Sequence, residues 1–78
     1  MTYLSDRITI NEQICNGKPT IRGMGITVAT VLEYLLAGDT KEEILANYSI
    51  LEPEDIDACI EFTLNMVNHN LTVQRLAA

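Results

Sequence analysis

The stretch NGKPTIRGMGITV, Asn16 to Val28, holds three of the four glycines in the chain and one of its two prolines. It divides the sequence into parts with different apolar rhythms. Ahead of it, RITI places Ile8 and Ile10 on one side of a short strand, the period of two that a half-buried ribbon shows. Within it, Pro19 biases Lys18 away from helix, and the β-branched pair Thr20 and Ile21 suits a brief edge strand. Asn16-Gly17 is the strongest turn signal, because both residues tolerate the positive φ that tight turns require. The two strands are therefore predicted to pair antiparallel, with Gly23 and Gly25 as a flexible exit.

From Val28 the apolar spacing changes. Val28, Val31, Leu32, Leu35 and Leu36 recur at helical intervals, and Gly38 ends the run as a C-terminal cap. TKEE follows, with Thr40 as N-cap and Glu43 at the third helical position, a capping box that opens a short helix to about Tyr48. Ile44, Leu45 and Tyr48 line its inner side. A last helix is predicted from Pro53 to His69 or beyond, with Glu54 and Asp55 complementing its positive end. On it, Ile56, Ile60, Leu64, Val67 and Leu71 form one stripe, assigned to the core. Cys59, Phe62, Met66 and Val73 form a second stripe about 90° away, and Glu54, Asp57, Glu61, Asn65 and Asn68 a narrow polar strip. Two apolar faces need two partners, so the second stripe is assigned to a dimer interface with another copy of the chain, the alternative being that the β ribbon folds over it. The expected fold is mainly α: a three-helix, homeodomain-like or helix-turn-helix-like core with a short N-terminal two-stranded β segment. It forms one domain over residues 1–78, with ribbon and turn at 7–26 and the helical core at 27–71.

A chain of 78 residues buries only about 60% of its unfolded surface, and one small core rarely supplies more than roughly 3–5 kcal/mol. A homo-oligomer is expected on that ground. The hydrophobic fraction of 47% excludes disorder. No apolar run nears the ~20 residues that span a bilayer, and MTYLSDRITI lacks the pattern of a secretory leader, so a cytoplasmic location is expected. Cys15 and Cys59 then remain thiols, read as small buried hydrophobes. The formal charge of −6 is unevenly placed: residues 1–32 carry Arg7, Lys18 and Arg22 against Asp6 and Glu12, leaving −7 for the remainder. Such a chain suits a protein partner better than nucleic acid or an anionic membrane.

No catalytic set emerges. Gly17-Lys18 fails as a phosphate loop, since Glu12 stands where the first glycine belongs and Pro19 where the hydroxyl belongs. His69 is the only histidine, and along a helix it lies about 15 Å from Cys59. Asp55, Asp57 and Glu61 are spread along what reads as a solvent face. Neither a metal nor a cofactor is expected, and an enzyme with an inter-subunit site around His69 or the carboxylates is the least favoured reading. Three helices resemble the plan of helix-turn-helix DNA readers, but the last one opens EPEDIDACIE, whose carboxylates repel phosphate. Nucleic acid, if bound, would meet Arg7, Lys18 and Arg22 on the ribbon. Equally, those cations can be solubilising charges on an exposed edge.

The order Gly17-Lys18-Pro19, Ile21-Arg22-Gly23, Ile26 and Val28, then Gly38, TKEEILANYS and LEPEDIDACIEF, resembles the domain-of-unknown-function family numbered 433, small bacterial and archaeal proteins, over roughly Arg7 to Phe62. The resemblance implies a helix-turn-helix-like core with an N-terminal β segment. It also implies an antitoxin-like role, as in members paired with a ribonuclease-type toxin, with a protein partner and autoregulatory DNA binding. Two departures stand out. Gly23-Met24-Gly25 replaces the family's Gly-Thr-Arg, removing a cation and a hydroxyl, and Glu52 replaces a Thr or Ser before the proline, a weaker cap. The leading expectation is a non-catalytic, dimeric, regulatory or antitoxin-like domain, with a DNA-binding regulator as its rival.

Overall fold

Ile8 and Ile21 face each other across the antiparallel pair β2 (Ile8–Ile10) and β3 (Thr20–Ile21), and both side chains are fully buried. The expected ribbon is thus present. A third strand, β1 (Thr2–Tyr3), pairs with the other edge of β2 in the register Thr2 to Ile10, giving the order β1-β2-β3. Two residues are too short a run to show a period, which is why the sequence predicts two strands and not three. The computed structural model describes residues 1–77, with side chains to residue 69.

Asn16 and Gly17 do take positive φ, 57° and 78°. They do not, however, form a two-residue hairpin. The β2–β3 connection spans residues 11–19: Asn11 opens it by accepting the Gln13 N–H on its side chain and the Ile14 N–H on its carbonyl. A 3-10 turn at Cys15–Gly17 closes it. The exit through Gly23 and Gly25 is pinned, contrary to expectation. The Ile21 N–H donates to the Ile26 carbonyl at 3.0 Å, the Val28 N–H to the Pro19 carbonyl at 3.0 Å, and the Gly23 N–H to Thr9 Oγ1 at 2.9 Å. This loop needs left-handed backbone at Arg22 (φ 48°), Gly23 (70°) and Gly25 (79°), conformations that glycine adopts without a Cβ clash.

Three helices follow: α1 (Val28–Leu36), α2 (Lys41–Asn47) and α3 (Pro53–Ala77). Thr27 caps α1 by accepting the Thr30 N–H at 3.0 Å, and Gly38 ends it at φ 100°. The capping box of α2 is complete, with the Glu43 N–H on Thr40 Oγ1 and the Thr40 N–H on Glu43 Oε1. α3 packs on β2, α1 and α2. The core comprises Ile8, Ile21, Val28, Val31, Ile44, Leu51, Ile56 and Cys59. The molecule is mainly α with a small antiparallel sheet.

α3 is rotated from its expected setting. Asp55, Ile56 and Cys59 are fully buried, Phe62 is half-buried against the core, and Ile60, Leu64 and Val67 are 42%, 56% and 46% exposed. Cys59 is therefore an interior residue of the single chain and not part of an interface. The stripe assigned to the core is the one left uncovered beyond Ile56. Met66 is exposed, and Val73, like Leu71, has its side chain outside the described residues. Leu36 at the end of α1, which shares the helical spacing of Val28, Val31, Leu32 and Leu35, is also exposed.

Candidate functional site

Asp55 occupies the third position of α3, within the first turn from Pro53. Its Oδ2 accepts the Glu52 N–H at 2.8 Å, and the Asp55 N–H donates to the Glu52 carbonyl at 2.9 Å. This is the returning half of a capping box, and it offsets the missing Thr or Ser at position 52. The same carboxylate takes both ribbon arginines. Arg22 meets it in two-pronged fashion, Nε to Oδ1 at 3.1 Å and Nη2 to Oδ2 at 2.8 Å, and Arg7 Nη1 reaches Oδ1 at 2.9 Å and Glu52 Oε1 at 2.6 Å. Arg22 Nη2 also donates to the Ile50 carbonyl at 3.2 Å.

Burial drives the Asp55 carboxyl toward protonation, but hydrogen bonds from Arg22, the Glu52 N–H and Arg7 outweigh it and hold its pKa below the ordinary carboxylate value. Arg7 is pushed up by its hydrogen bonds to Glu52 and Asp55, and Arg22 by its hydrogen bond to Asp55, so both stay charged. Two cations face two carboxylates, and the cluster is locally neutral. Planar guanidinium groups match a carboxylate edge to edge, so the cluster fastens β2 and the β3 exit to the first turn of α3. Arg7 and Arg22, expected to be available to nucleic acid or a partner, are committed inside the chain. Lys18 is exposed on the β2–β3 connection, with no ion pair among the described residues.

The outer surface of α3 carries two further features. Ile60, Leu64 and Val67 line one side, about 110° around the helix from the core-facing set. On another side, a groove of about 610 Å³ runs between the β1–β2 turn and α3. Its walls include Leu4, Ala58, Phe62 and Met66 as apolar surface and Asp6, Glu54, Asp57 and Glu61 as carboxylates, with His69 at one end. Asp57 is paired with Lys41 on α2. Among the described residues, no group of three or more histidine, cysteine or acidic side chains is placed to hold a metal ion. Burial and the Asp55 charge push the Cys59 thiol up to about 12, and His69 stands on the exposed outer surface of the helix.

Asp55 is the residue that sequence reasoning misplaced, as a solvating carboxylate. One signal was available: an acid three residues after position 52 sits where Glu43 sits relative to Thr40, and so can turn back onto the helix start. The groove had no such signal, since the β1–β2 turn that forms one wall is distant in sequence.

No helix among the described residues is long and apolar enough to cross a membrane. No curated protein and no solved structure matches the chain. A family model described as "Protein of unknown function (DUF433)" matches residues 8–63, from the first buried ribbon residue to the turn of α3 beyond Phe62, and the chain belongs to that family.

Proposed function

We propose that this protein is a non-catalytic, antitoxin-like regulatory domain of the cytoplasm that self-associates through α3 and binds a second protein. The observation that carries the reading is the row Ile60, Leu64 and Val67, apolar side chains spaced at helical intervals and about half exposed on an otherwise acidic helix. Burying such a row against its symmetry mate removes apolar surface from water on both copies, at about 25 cal/mol per Å². A small core gives a chain of this size reason to gain stability that way. The acidic character of α2 and α3, with Glu42, Glu43, Glu54, Asp57 and Glu61 exposed, suits a basic partner such as a nucleic-acid-cleaving protein. The short turns between α1, α2 and α3 are in keeping with a helix-turn-helix-like core.

Sedimentation analysis tests the self-association. The wild type is expected to be a dimer at micromolar concentration and Leu64→Glu a folded monomer; a wild type that stays monomeric at high concentration defeats it. Purification from the native host tests the partner, and recovery of the chain without a companion argues against that role. No observation favours DNA as a second reading, because two of the three ribbon cations are neutralised by Asp55 and Glu52.

A further inference from the structure

We infer that the groove between the β1–β2 turn and α3 is a docking site for a basic segment of a different protein, carrying arginine or lysine beside an apolar anchor. The inference rests on the partner-binding half of the function proposed above and names its surface. The groove has the dimensions of a binding cleft, about 610 Å³. Met66 and Leu4 are exposed in it, beside Phe62, whose ring rests on the core. Around that apolar floor stand Asp6, Glu54 and Glu61, exposed and without an ion pair among the described residues. Arg7, the cation on the wall, is already bound to Glu52 and Asp55. The groove therefore presents negative charge over an apolar base, the complement of a side chain whose stem is apolar and whose head is cationic.

Charge also selects the occupant. A second copy of this chain carries −6 and five lysines and arginines in all. Arg7, Arg22 and Lys41 of these are engaged within the chain. Nucleic acid and anionic lipid are repelled by the same carboxylates. The groove lies roughly 140° around α3 from the Ile60, Leu64, Val67 row, so partner docking and self-association use separate faces.

The test uses the full chain and a fluorescein-labelled short peptide alternating arginine and leucine, read by anisotropy at low salt. Binding is expected, weakening steeply as salt passes the ~0.1 M at which the screening length is about 10 Å. Glu54→Lys with Glu61→Lys should lose about tenfold or more in affinity, and the charge-matched control Glu12→Lys with Glu33→Lys, both exposed and outside the groove, less than about threefold. Met66→Ser and Glu61→Gln should each weaken binding, which keeps the test decisive if the double reversal fails to fold by circular dichroism. Leu64→Glu should leave affinity unchanged; a monomeric wild type that still binds the peptide would separate failure of the self-association reading from failure of this one. The inference is overturned if no peptide binds, if the control pair weakens binding as much as the groove pair, or if an arginine–serine peptide binds as tightly. It is also overturned if spermine displaces the peptide with equal affinity, which would make the groove a small-polycation site.

Discussion

Replacing Asp55 with asparagine keeps the shape of the side chain and removes its charge. In the wild type the carboxylate accepts four hydrogen bonds, three from Arg7 and Arg22 and one from the Glu52 N–H. The asparagine amide can retain one or two of these on its oxygen, while its NH2 turns a donor toward a guanidinium. Removing one partner of a buried ion pair costs about 3–5 kcal/mol. Here Arg7 and Arg22 keep 30% and 32% of their side-chain surface exposed and can recover water, so the cost should fall to about 2–3 kcal/mol. Total stability for 78 residues is roughly 4–12 kcal/mol. The variant should therefore melt roughly 10–20 °C lower, measured by circular dichroism or calorimetry, with the urea midpoint reduced and its slope unchanged. The pH dependence gives an independent check. Because the folded pKa lies below the ordinary value of 3.8, the stabilisation is complete above that value and disappears as pH falls through the folded one. The gap between wild type and Asp55→Asn should be level from about pH 5 upward and close in stronger acid. A variant that melts within about 3 °C of the wild type, or a gap that does not narrow in acid, would refute the reasoning.

A thiol reagent at neutral pH should modify Cys15, which is partly exposed, and spare Cys59, whose thiol is pushed up to about 12. Titration should find one reactive thiol per folded chain and both in denaturant; rapid labelling of both in the folded protein would contradict the buried position of Cys59. Thr40→Ala removes the acceptor of the Glu43 N–H and should cost about 1 kcal/mol, seen as a melting point lower by roughly 4–8 °C. Duplex DNA should show no retardation even at low salt; a shift lost on Lys18→Ala would revive the ribbon as a nucleic-acid surface.

Contacts between neighbours in sequence were legible. Thr40 and Glu43 satisfy each other three residues apart, and the antiparallel pairing of the two ribbon strands follows from their composition and the turn signal between them; the register, Ile8 opposite Ile21, does not, because the connection is longer than the two residues Asn16-Gly17. The Asp55 cluster was hidden because its arginines lie 33 and 48 positions away, and nothing local to any of the three residues marks the meeting. That gap also explains the rotation of α3. The face that packs inward carries Asp55 between apolar residues, and a carboxylate ordinarily argues for water. The regular row of Ile60, Leu64, Val67 and Leu71 then looks like the better inner face. The two guanidinium groups, together with the Glu52 N–H, stabilise an interior aspartate, and the guanidinium groups come from the other end of the chain. The groove was invisible for a related reason, since β1 is two residues long and the turn after it forms a wall only once the sheet has docked.

The Asp55 cluster also sets an order of events on the ribosome. Arg7 and Arg22 emerge well before the residue that neutralises them, and the ribbon, though tied to the start of α1, has no ionic anchor until the opening turn of α3 is made. Closing so long a loop carries an entropic penalty that α1 and α2, held by near neighbours, do not face. Docking of the amino-terminal sheet on α3 is therefore expected to follow formation of α1 and α2, and a chain interrupted before position 55 would leave two cations without the carboxylate that holds them.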